Sequence, residues 1–364
     1  MSSTSSLITS FIVVTLVFGA VGGYLFVTNP YEPSRVAIVM LEPGRGDLSL
    51  MDQMELGLEN LSDTVSFSYY WYVVSETNAV SKLQELAGTG GYYDIIVVVG
   101  HGLKSALTTV APQFPDQRFA IIGAEVSGAN VVSADFSTEQ AAFLAGVLAA
   151  HLAAAPNYSK KIGIIGSFED DTEVTKMVAG FKAGVSAANE TYALGVSLLP
   201  NDIYLNSYND TEAARTQTQF MFSVRNASVI FAPVRASIMG VAQAALAVNA
   251  TWNAGVPASN RRLPLVIGAE GNQDYLGLPD YHLDIGISLI ATSVVPHTDY
   301  AIATILNATA WDNYPAGQHL KYNLTNDGVS LTSFRYSTQY ISTELREIIA
   351  YWKALIISLG GLPP

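Results

Sequence analysis

The chain has 364 residues, with 31 acidic against 18 basic side chains, a formal net charge of −13 at pH 7 and no cysteine. It contains no Lys/Arg cluster that would neutralise phosphates, so nucleic acid is not an expected partner. The lack of cysteine excludes disulfides, thiolate metal sites and a cysteine nucleophile. The length predicts about two domains.

The first 30 residues differ in composition from the rest. Residues 7–27, LITSFIVVTLVFGAVGGYLFV, form an uncharged run of 21 residues. As a helix this run would measure about 31 Å, close to the roughly 30 Å of bilayer hydrocarbon. No Lys or Arg precedes Arg35, whereas a cleaved signal peptide normally has a basic start. We therefore predict a retained transmembrane anchor in residues 1–30, with an unusual cleaved secretion signal as the alternative.

Glycosylation sequons indicate the side of the membrane. Eight of the 18 asparagines lie in N-x-[ST], where the abundance of Ser and Thr would give roughly two or three by chance. This excess predicts an extracellular body that is anchored at the cell membrane. Together with the lack of a lipobox cysteine, it is more typical of an archaeal surface protein than of a bacterial lipoprotein. The predicted glycosylation sites are Asn60, Asn157, Asn189, Asn209, Asn226, Asn249, Asn307 and Asn323.

From Arg35 onward, short apolar strands alternate with helices. Unbroken Val/Ile runs predict strands buried on both faces, as in a parallel sheet covered by helices. The predicted strands are residues 35–41, 65–73, 93–99, 118–124, 130–136, 161–167, 228–234, 263–270 and 287–295. The predicted helices lie near residues 50–61, 77–87, 103–112, 137–154, 173–188, 211–224, 237–250 and 298–310. The alternation indicates a doubly wound α/β architecture.

A break between two such units falls near Phe136. Ser137 and Gln140 match a capping box, with Ser at the N-cap and Gln at N3. The helix predicted over 137–154 consists almost wholly of Ala, Leu, Val and Gly, so most of its sides must be buried. We expect it to leave one domain and to be covered by the other. A central helix of one domain is the alternative.

The C-terminal region predicts a hairpin and a closing helix. KYNLTNDGVSLTSF contains a turn signal at residues 326–328. The helix that follows ends at Gly360 and Gly361, and its apolar run is too short to span a membrane. We expect this helix to dock on the core.

Signatures of catalysis and of metal binding are missing from the sequence. The five histidines show no H-x-x-x-H or H-E-x-x-H spacing, and neither a G-x-S-x-G elbow nor a P-loop occurs. Gly100 and Gly102 follow a strand without the third glycine of a dinucleotide loop, which predicts a turn that faces a cleft. The acidic run 169–171 precedes a helix, whose N-terminus favours carboxylates. We therefore expect no catalytic residue, no metal and no cofactor.

Three patterns resemble a known family. They are F-P-D-x-x-F-A at 114–120, NVVS-x-x-F with FLAG-x-LAA at 130–150, and G-F-x-A-G at 180–184. Their order and spacing resemble the basic membrane protein family, nucleoside-binding proteins that serve ABC importers. The resemblance covers about residues 35–361 and implies the type I periplasmic-binding-protein fold, in which two α/β lobes joined by crossing strands enclose a ligand. It implies lobe 1 at 31–136, completed by about 292–320, lobe 2 at 137–291, and a C-terminal hairpin and helix at 321–364 packed across the lobes.

The resemblance also implies a ligand site, which this chain keeps in part. The family's first loop, typically D-x-x-F-N, is here D-L-S-L-M from Asp47 to Met51, and its G-V-D-x-D-Q is G-A-E-G-N-Q, ending at Gln273. A nucleoside needs aromatic faces for its base and carboxylates or amides for its polar edges. The expected contacts, for each of which ordinary loop capping or core packing is the alternative, are Asp47, Ser49, His101, Phe168, Glu270 and Gln273.

Other positions depart from the family pattern. Leu50 and Met51 replace an aromatic residue and an amide, and Pro296 replaces a lysine. Arg235 and Ile238 stand where glycines usually let the backbone approach the ligand. Each buried polar group left unpaired costs about 1 to 3 kcal/mol, so three such losses could weaken binding by a factor of hundreds. Either the ligand differs from a standard nucleoside or the cleft binds none.

Two functions therefore remain open. The first is a solute-binding protein that closes on a nucleoside-like molecule, with hinges near 134–138 and 290–294, and delivers it to an ABC permease. The second is a structural surface glycoprotein that reuses the fold with an eroded cleft and assembles with itself into a layer or filament.

Overall fold

The structure, a computed structural model, describes residues 33–62, 65–257 and 260–363. The predicted membrane anchor lies outside these residues. Within the described ranges, no helix combines the length and the apolar character needed to cross a bilayer. The described chain forms two α/β lobes, each built on a mainly parallel sheet, as predicted.

The first lobe contains a six-stranded parallel sheet in the order β12-β5-β4-β3-β1-β2. Its strands are β1 (Ser34–Leu41), β2 (Phe67–Val74), β3 (Ile95–Val99), β4 (Phe119–Ile122), β5 (Val131–Phe136) and β12 (His319–Tyr322). The central residues of β1 are fully buried on both faces. Ile38 packs in the cluster that contains α1 (Leu50–Ser62) and α8 (Thr298–Ala310), whereas Val39 packs with α2 (Ala79–Ala87) and α3 (Lys104–Val110). Burial on both faces explains the unbroken apolar runs.

The second lobe contains a seven-stranded sheet in the order β13-β11-β10-β9-β6-β7, with β8 paired to β6. Its strands are β6 (Lys161–Gly166), β7 (Ser197–Leu198), β8 (Ile203–Tyr204), β9 (Val229–Ala232), β10 (Leu265–Ala269), β11 (Ile290–Pro296) and β13 (Val329–Leu331). One face packs with α6 (Thr211–Ser223) and α7 (Ile238–Trp252), and the other with α4 (Thr138–Ala153) and α5 (Thr172–Tyr192). β13 is antiparallel to β11.

The composition of α4 is explained by its surroundings. Fourteen of its 16 residues are buried. Helix α5 crosses it so closely that a Cβ added at Gly146 would lie 2.1 Å from the carbonyl oxygen of Phe181, and one added at Gly184 would lie 2.0 Å from that of Phe143. The closing helix α9 (Thr343–Leu359) also packs on α4, with the Trp352 and Phe143 ring centroids 5.4 Å apart.

The chain passes between the sheets at three places: after β5, after β11, and between β12 and β13. The second crossing lies later than the expected 290–294, because all of β11 up to Pro296 pairs within the second sheet. The prediction of a C-terminal hairpin was wrong. β12 pairs with β5 and β13 pairs with β11, so the turn at 326–328 connects two sheets rather than two paired strands.

The predicted capping box at the start of α4 was also wrong. Ser137 occupies the N-cap, but its side chain makes no capping hydrogen bond. The Gln140 side chain instead accepts a hydrogen bond from the backbone amide of Leu324 at 3.1 Å. Tertiary contact therefore replaces the local motif, and Gln140 ties α4 to the third crossing.

Candidate ligand-binding cleft

A cavity of about 380 Å³ lies between the lobes. This volume falls within the range of about 300–1,000 Å³ that is usual for small-molecule sites. Lobe 1 contributes residues that follow β1, β3 and β4, and lobe 2 contributes residues that follow β6, β8, β9 and β10. Most of these segments lie at carboxyl ends of parallel strands, where α/β proteins bind ligands. The protein's own side chains do not fill the cleft.

Asp47 lies in the loop between β1 and α1 and lines the cavity, although only 3% of it is exposed. Its carboxylate accepts hydrogen bonds from the Ser49 amide at 2.9 Å and the Ser49 hydroxyl at 2.8 Å. Burial raises the pKa of Asp47, while the bonds from Ser49 oppose that rise. Ser49 itself is buried behind the lining and contacts Asp47. The pair thus fixes the loop, with Asp47 alone facing the cavity.

Glu270 follows β10 and lies at the lobe 2 side of the cavity with 2% exposure. Its Oε1 accepts a hydrogen bond from Arg235 Nε at 3.1 Å, whereas its buried Oε2 has no partner among the described residues. Burial raises the pKa of Glu270 to about 7, against the lowering effect of Arg235. The backbone φ is 68° at Glu270 and 47° at Arg235. Non-glycine residues held in this region mark constrained positions, which cluster at functional sites.

Arg235 joins Glu270 to two further cleft residues. Its guanidinium lies 4.0 Å from the centroid of the Tyr208 ring and 3.7 Å from Asp171 Oδ2. The Tyr208 hydroxyl donates to the same Asp171 oxygen at 2.6 Å. The other Asp171 oxygen caps α5 by accepting the Glu173 amide at 2.8 Å. The predicted capping role of the acidic run is therefore combined with a place in the cleft.

Aromatic side chains stand on both sides of the cavity. Phe168, which follows β6, is partly buried and has its ring centroid 4.7 Å from that of Tyr208. His101 follows β3 on lobe 1 and is exposed at the rim. Gly100 and Gly123, with φ of 98° and 92°, make the turns that lead the backbone away from the sheet there. The cleft therefore offers ring faces from both lobes.

The structure places Gln273 outside the lining, although the sequence suggested a ligand contact. Gln273 is fully buried, and its Nε2 donates to the Leu48 carbonyl oxygen at 2.9 Å while its Oε1 accepts from the Ala269 amide at 3.1 Å. Gly271 passes so close to lobe 1 that an added Cβ would lie 2.9 Å from the Ser49 Cα. Gln273 therefore bridges the lobes rather than facing the cavity.

The sequence did not predict that the side chains of Arg235, Asp171 and Tyr208 belong to this site. The replacement of a family glycine by Arg235 was a signal, and the positive φ there explains why glycine suits the position. Tyr208 carried no signal, since its neighbours in the site lie far away along the chain. In the described part of the chain, no group of three or more His, Asp or Glu side chains has an arrangement that could hold a metal ion.

Residues 35–362 match the Bmp family, described as PnrA-like substrate-binding proteins of ABC transporters. The chain belongs to this family. The match covers both lobes and the cleft between them. It confirms the resemblance found in the sequence patterns and assigns the chain to a family of substrate-binding proteins.

Two relatives from other organisms have sequences similar to this chain. The ABC transporter nucleoside-binding protein BmpA of Lactococcus lactis is 25% identical over 73% of this chain and 69% of its own. An uncharacterized lipoprotein of Pyrococcus furiosus is 26% identical over 85% of this chain and 73% of its own.

Among solved structures, the fold is similar to that of an ABC transporter solute-binding protein from Aeropyrum pernix. The two share a TM-score of 0.75 with 21% identity, over 90% of this chain and 92% of the other. At this identity the similarity supports the fold, while the function must be argued from the site.

Proposed function

We propose that this Bmp-family protein is an extracellular binding protein that closes its two lobes on a nucleoside or a related polar molecule and delivers it to an ABC permease. The observation that carries the proposal is the interlobe cavity, whose wall combines aromatic rings with the unpartnered Glu270 Oε2. The name of the Lactococcus lactis relative supports the ligand class.

The lining chemistry fits the parts of such a ligand. Phe168 presents a ring face on which a base can stack, and Tyr208 packs between Phe168 and Arg235. Glu270 Oε2 is a buried acceptor that needs a donor, such as a ribose hydroxyl or a base N–H. Asp47 and His101 complete the wall from lobe 1. Ser49 and Gln273 would act indirectly, by holding the loop and the lobes in place.

The three crossings provide the hinges for lobe closure. Lys176 of α5 donates to the carbonyl oxygen of Phe136, the last residue of β5, at 2.9 Å. Gln140 makes the bond to the third crossing. These contacts fix the position of the lobes relative to each other on the hinge side, while the opposite edge of the cleft opens and closes.

The proposed location is the outer face of the cell membrane, with residues 7–27 as the tether. None of the eight sequon asparagines is buried, and five of them are exposed at the surface: Asn60, Asn157, Asn209, Asn226 and Asn307. The alternative of a self-assembling structural protein with an eroded cleft gains no support, because the cleft retains its volume. The proposal therefore rests on ligand binding.

A thermal-shift screen of the full chain in detergent against nucleosides and nucleobases tests this function. A ligand at one hundred times its dissociation constant raises the free energy of unfolding by about 2.7 kcal/mol, which is several degrees of melting temperature. Phe168→Ala should reduce the shift, since stacking contributes about 1 to 3 kcal/mol per base. Phe220→Ala, a matched change at a residue on α6 that is 43% exposed and outside the cavity, should retain it. If no nucleoside or nucleobase shifts the wild-type protein, the proposal fails.

A further inference from the structure

The cavity wall carries a large excess of acidic side chains. One guanidinium, Arg235, faces it among the described lining residues, together with seven carboxylates. Lys176, behind the wall, lies 3.2 Å from Glu173 Oε1 and neutralises part of that charge. The acidic lining residues are Glu42, Asp47, Glu76, Asp170, Asp171, Glu173 and Glu270.

Three of the carboxylates have structural partners that explain them without a ligand. Asp47 fixes the loop before α1, and Asp171 caps α5 and accepts the Tyr208 hydroxyl. Glu173 is bonded to Lys176 and to the Thr138 hydroxyl at 3.2 Å. None of these acids therefore carries an argument about the ligand.

The remaining four acids are not explained in this way. Glu270 is 98% buried, and its Oε2 has no hydrogen-bond partner in the described part of the chain. Such an unpaired buried group is costly, which points to a donor supplied by a ligand. Glu42 and Glu76 on lobe 1 and Asp170 on lobe 2 are exposed at the rim and have no ion pair among the residues described.

The contacts of Arg235 show how groups in the cleft can surround a planar cation. Its planar guanidinium lies over the Tyr208 ring and shares its charge between Glu270 and Asp171. Phe168 leaves a further aromatic surface beside this group. Aromatic faces attract cations most strongly where water is excluded.

We propose that the cleft selects a flat organic cation: a nucleoside-like molecule whose ring carries a positive charge. The charged ring would lie beside Phe168, and Glu270 Oε2 would accept a hydrogen bond from the ligand. The rim carboxylates Glu42, Glu76 and Asp170 would attract the cation and disfavour anions such as nucleotides. The inference deepens the proposed function and rests on it.

A matched pair of ligands isolates the charge. Nicotinamide riboside is a permanent pyridinium cation, and its reduced dihydro form is neutral with nearly the same shape. Isothermal titration calorimetry of the full chain in detergent at pH 8 should give at least tenfold tighter binding of the cation. Adenosine serves as the neutral nucleoside reference.

Variants test the assigned carboxylates. Glu270→Gln should lower the affinity ratio of the two forms more than any rim variant does, because the amide keeps the size of the side chain and removes the charge nearest the ligand. Asp170→Asn, at the exposed rim, should preserve the fold and lower the ratio two- to threefold. Glu344→Gln, an exposed position on α9 outside the cavity, should leave the ratio unchanged.

The outcomes separate the inference from the proposed function. If the neutral form or adenosine binds as tightly as the cation, the charge preference is refuted while nucleoside binding stands. A ratio that is unchanged in both Glu270→Gln and Asp170→Asn also refutes the assignment. If no neutral or cationic nucleoside binds, both the inference and the proposed function fail.

Discussion

Replacing Arg235 by glycine has two opposite effects on the free energy of unfolding. The change relieves a non-glycine φ of 47°, and such strain costs of order 1–3 kcal/mol. It also removes the cation that lies 3.1 Å from the buried Glu270 carboxylate. Breaking a buried pair by removing one partner typically costs about 3–5 kcal/mol, and the added glycine entropy costs roughly 0.5–1 kcal/mol. We expect Arg235→Gly to lower the free energy of unfolding by about 2–3 kcal/mol at pH 8.

The pH dependence identifies the cause. Burial raises the pKa of Glu270 to about 7, above its value in the unfolded chain. A carboxyl with a raised pKa contributes stability below its unfolded pKa and loses it as the pH rises through the folded value. At pH 5 Glu270 is mostly protonated in the folded protein, so the lost cation matters less there and the deficit should shrink.

Thermal unfolding of the full chain at pH 5 and pH 8 measures this effect. The double variant Arg235→Gly/Glu270→Gln lacks both charges and should recover most of the stability lost at pH 8. If Arg235→Gly alone is as stable as wild type at pH 8, the reasoning is refuted, because the relief of backbone strain would then offset the loss of the buried ion pair. An equal deficit at both pH values would show that Glu270 is not the group responsible.

Three further predictions concern the framework. Gly184→Ala should lower the free energy of unfolding by about 1–3 kcal/mol, since its Cβ would lie 2.0 Å from a backbone oxygen of α4. In the control Gly361→Ala, the added Cβ meets open space, so thermal unfolding should give a stability within about 0.5 kcal/mol of wild type. Ser137→Ala should leave the free energy of unfolding nearly unchanged, because the Ser137 side chain makes no capping hydrogen bond. Asp210, at the N-cap of α6, accepts a 2.8 Å hydrogen bond from a backbone amide, so Asp210→Ala should lower the stability measured by urea unfolding by about 1 kcal/mol. Burial raises the pKa of Asp274 to about 6, so the stability that its protonated form contributes should be present below pH 4 and lost as the pH rises through 6. Asp274→Asn should therefore make the free energy of unfolding, measured by calorimetry, less dependent on pH between these values.

The sequence predicted the framework of both lobes because the signal was local and repeated. Buried runs such as those of β3 and β10 are apolar on both faces, which identified them as interior strands. The short strands β7, β8, β12 and β13 were missed or misassigned, since two to four residues carry too little pattern. The supposed hairpin failed for a related reason: a turn signal indicates a reversal of the chain but not which strand each arm pairs with.

The candidate site was only partly accessible from the sequence. Family patterns pointed to Asp47 and Glu270, and the structure brings both to the cavity wall. The partners of Glu270 could not be inferred, because Asp171, Tyr208 and Arg235 follow different strands and meet only in the folded protein. Burial of a single carboxylate oxygen is likewise a property of the fold.

The pairing of β12 and β13 has a consequence for how the protein is made. Each of these strands closes one edge of a different sheet, and both come from residues 319–331 near the end of the chain. A nascent polypeptide that stops before residue 319 lacks both strands, so β5 and β11 are left as unpaired edges of their sheets. Synthesis must therefore reach residue 331 before both sheets have all of their strands.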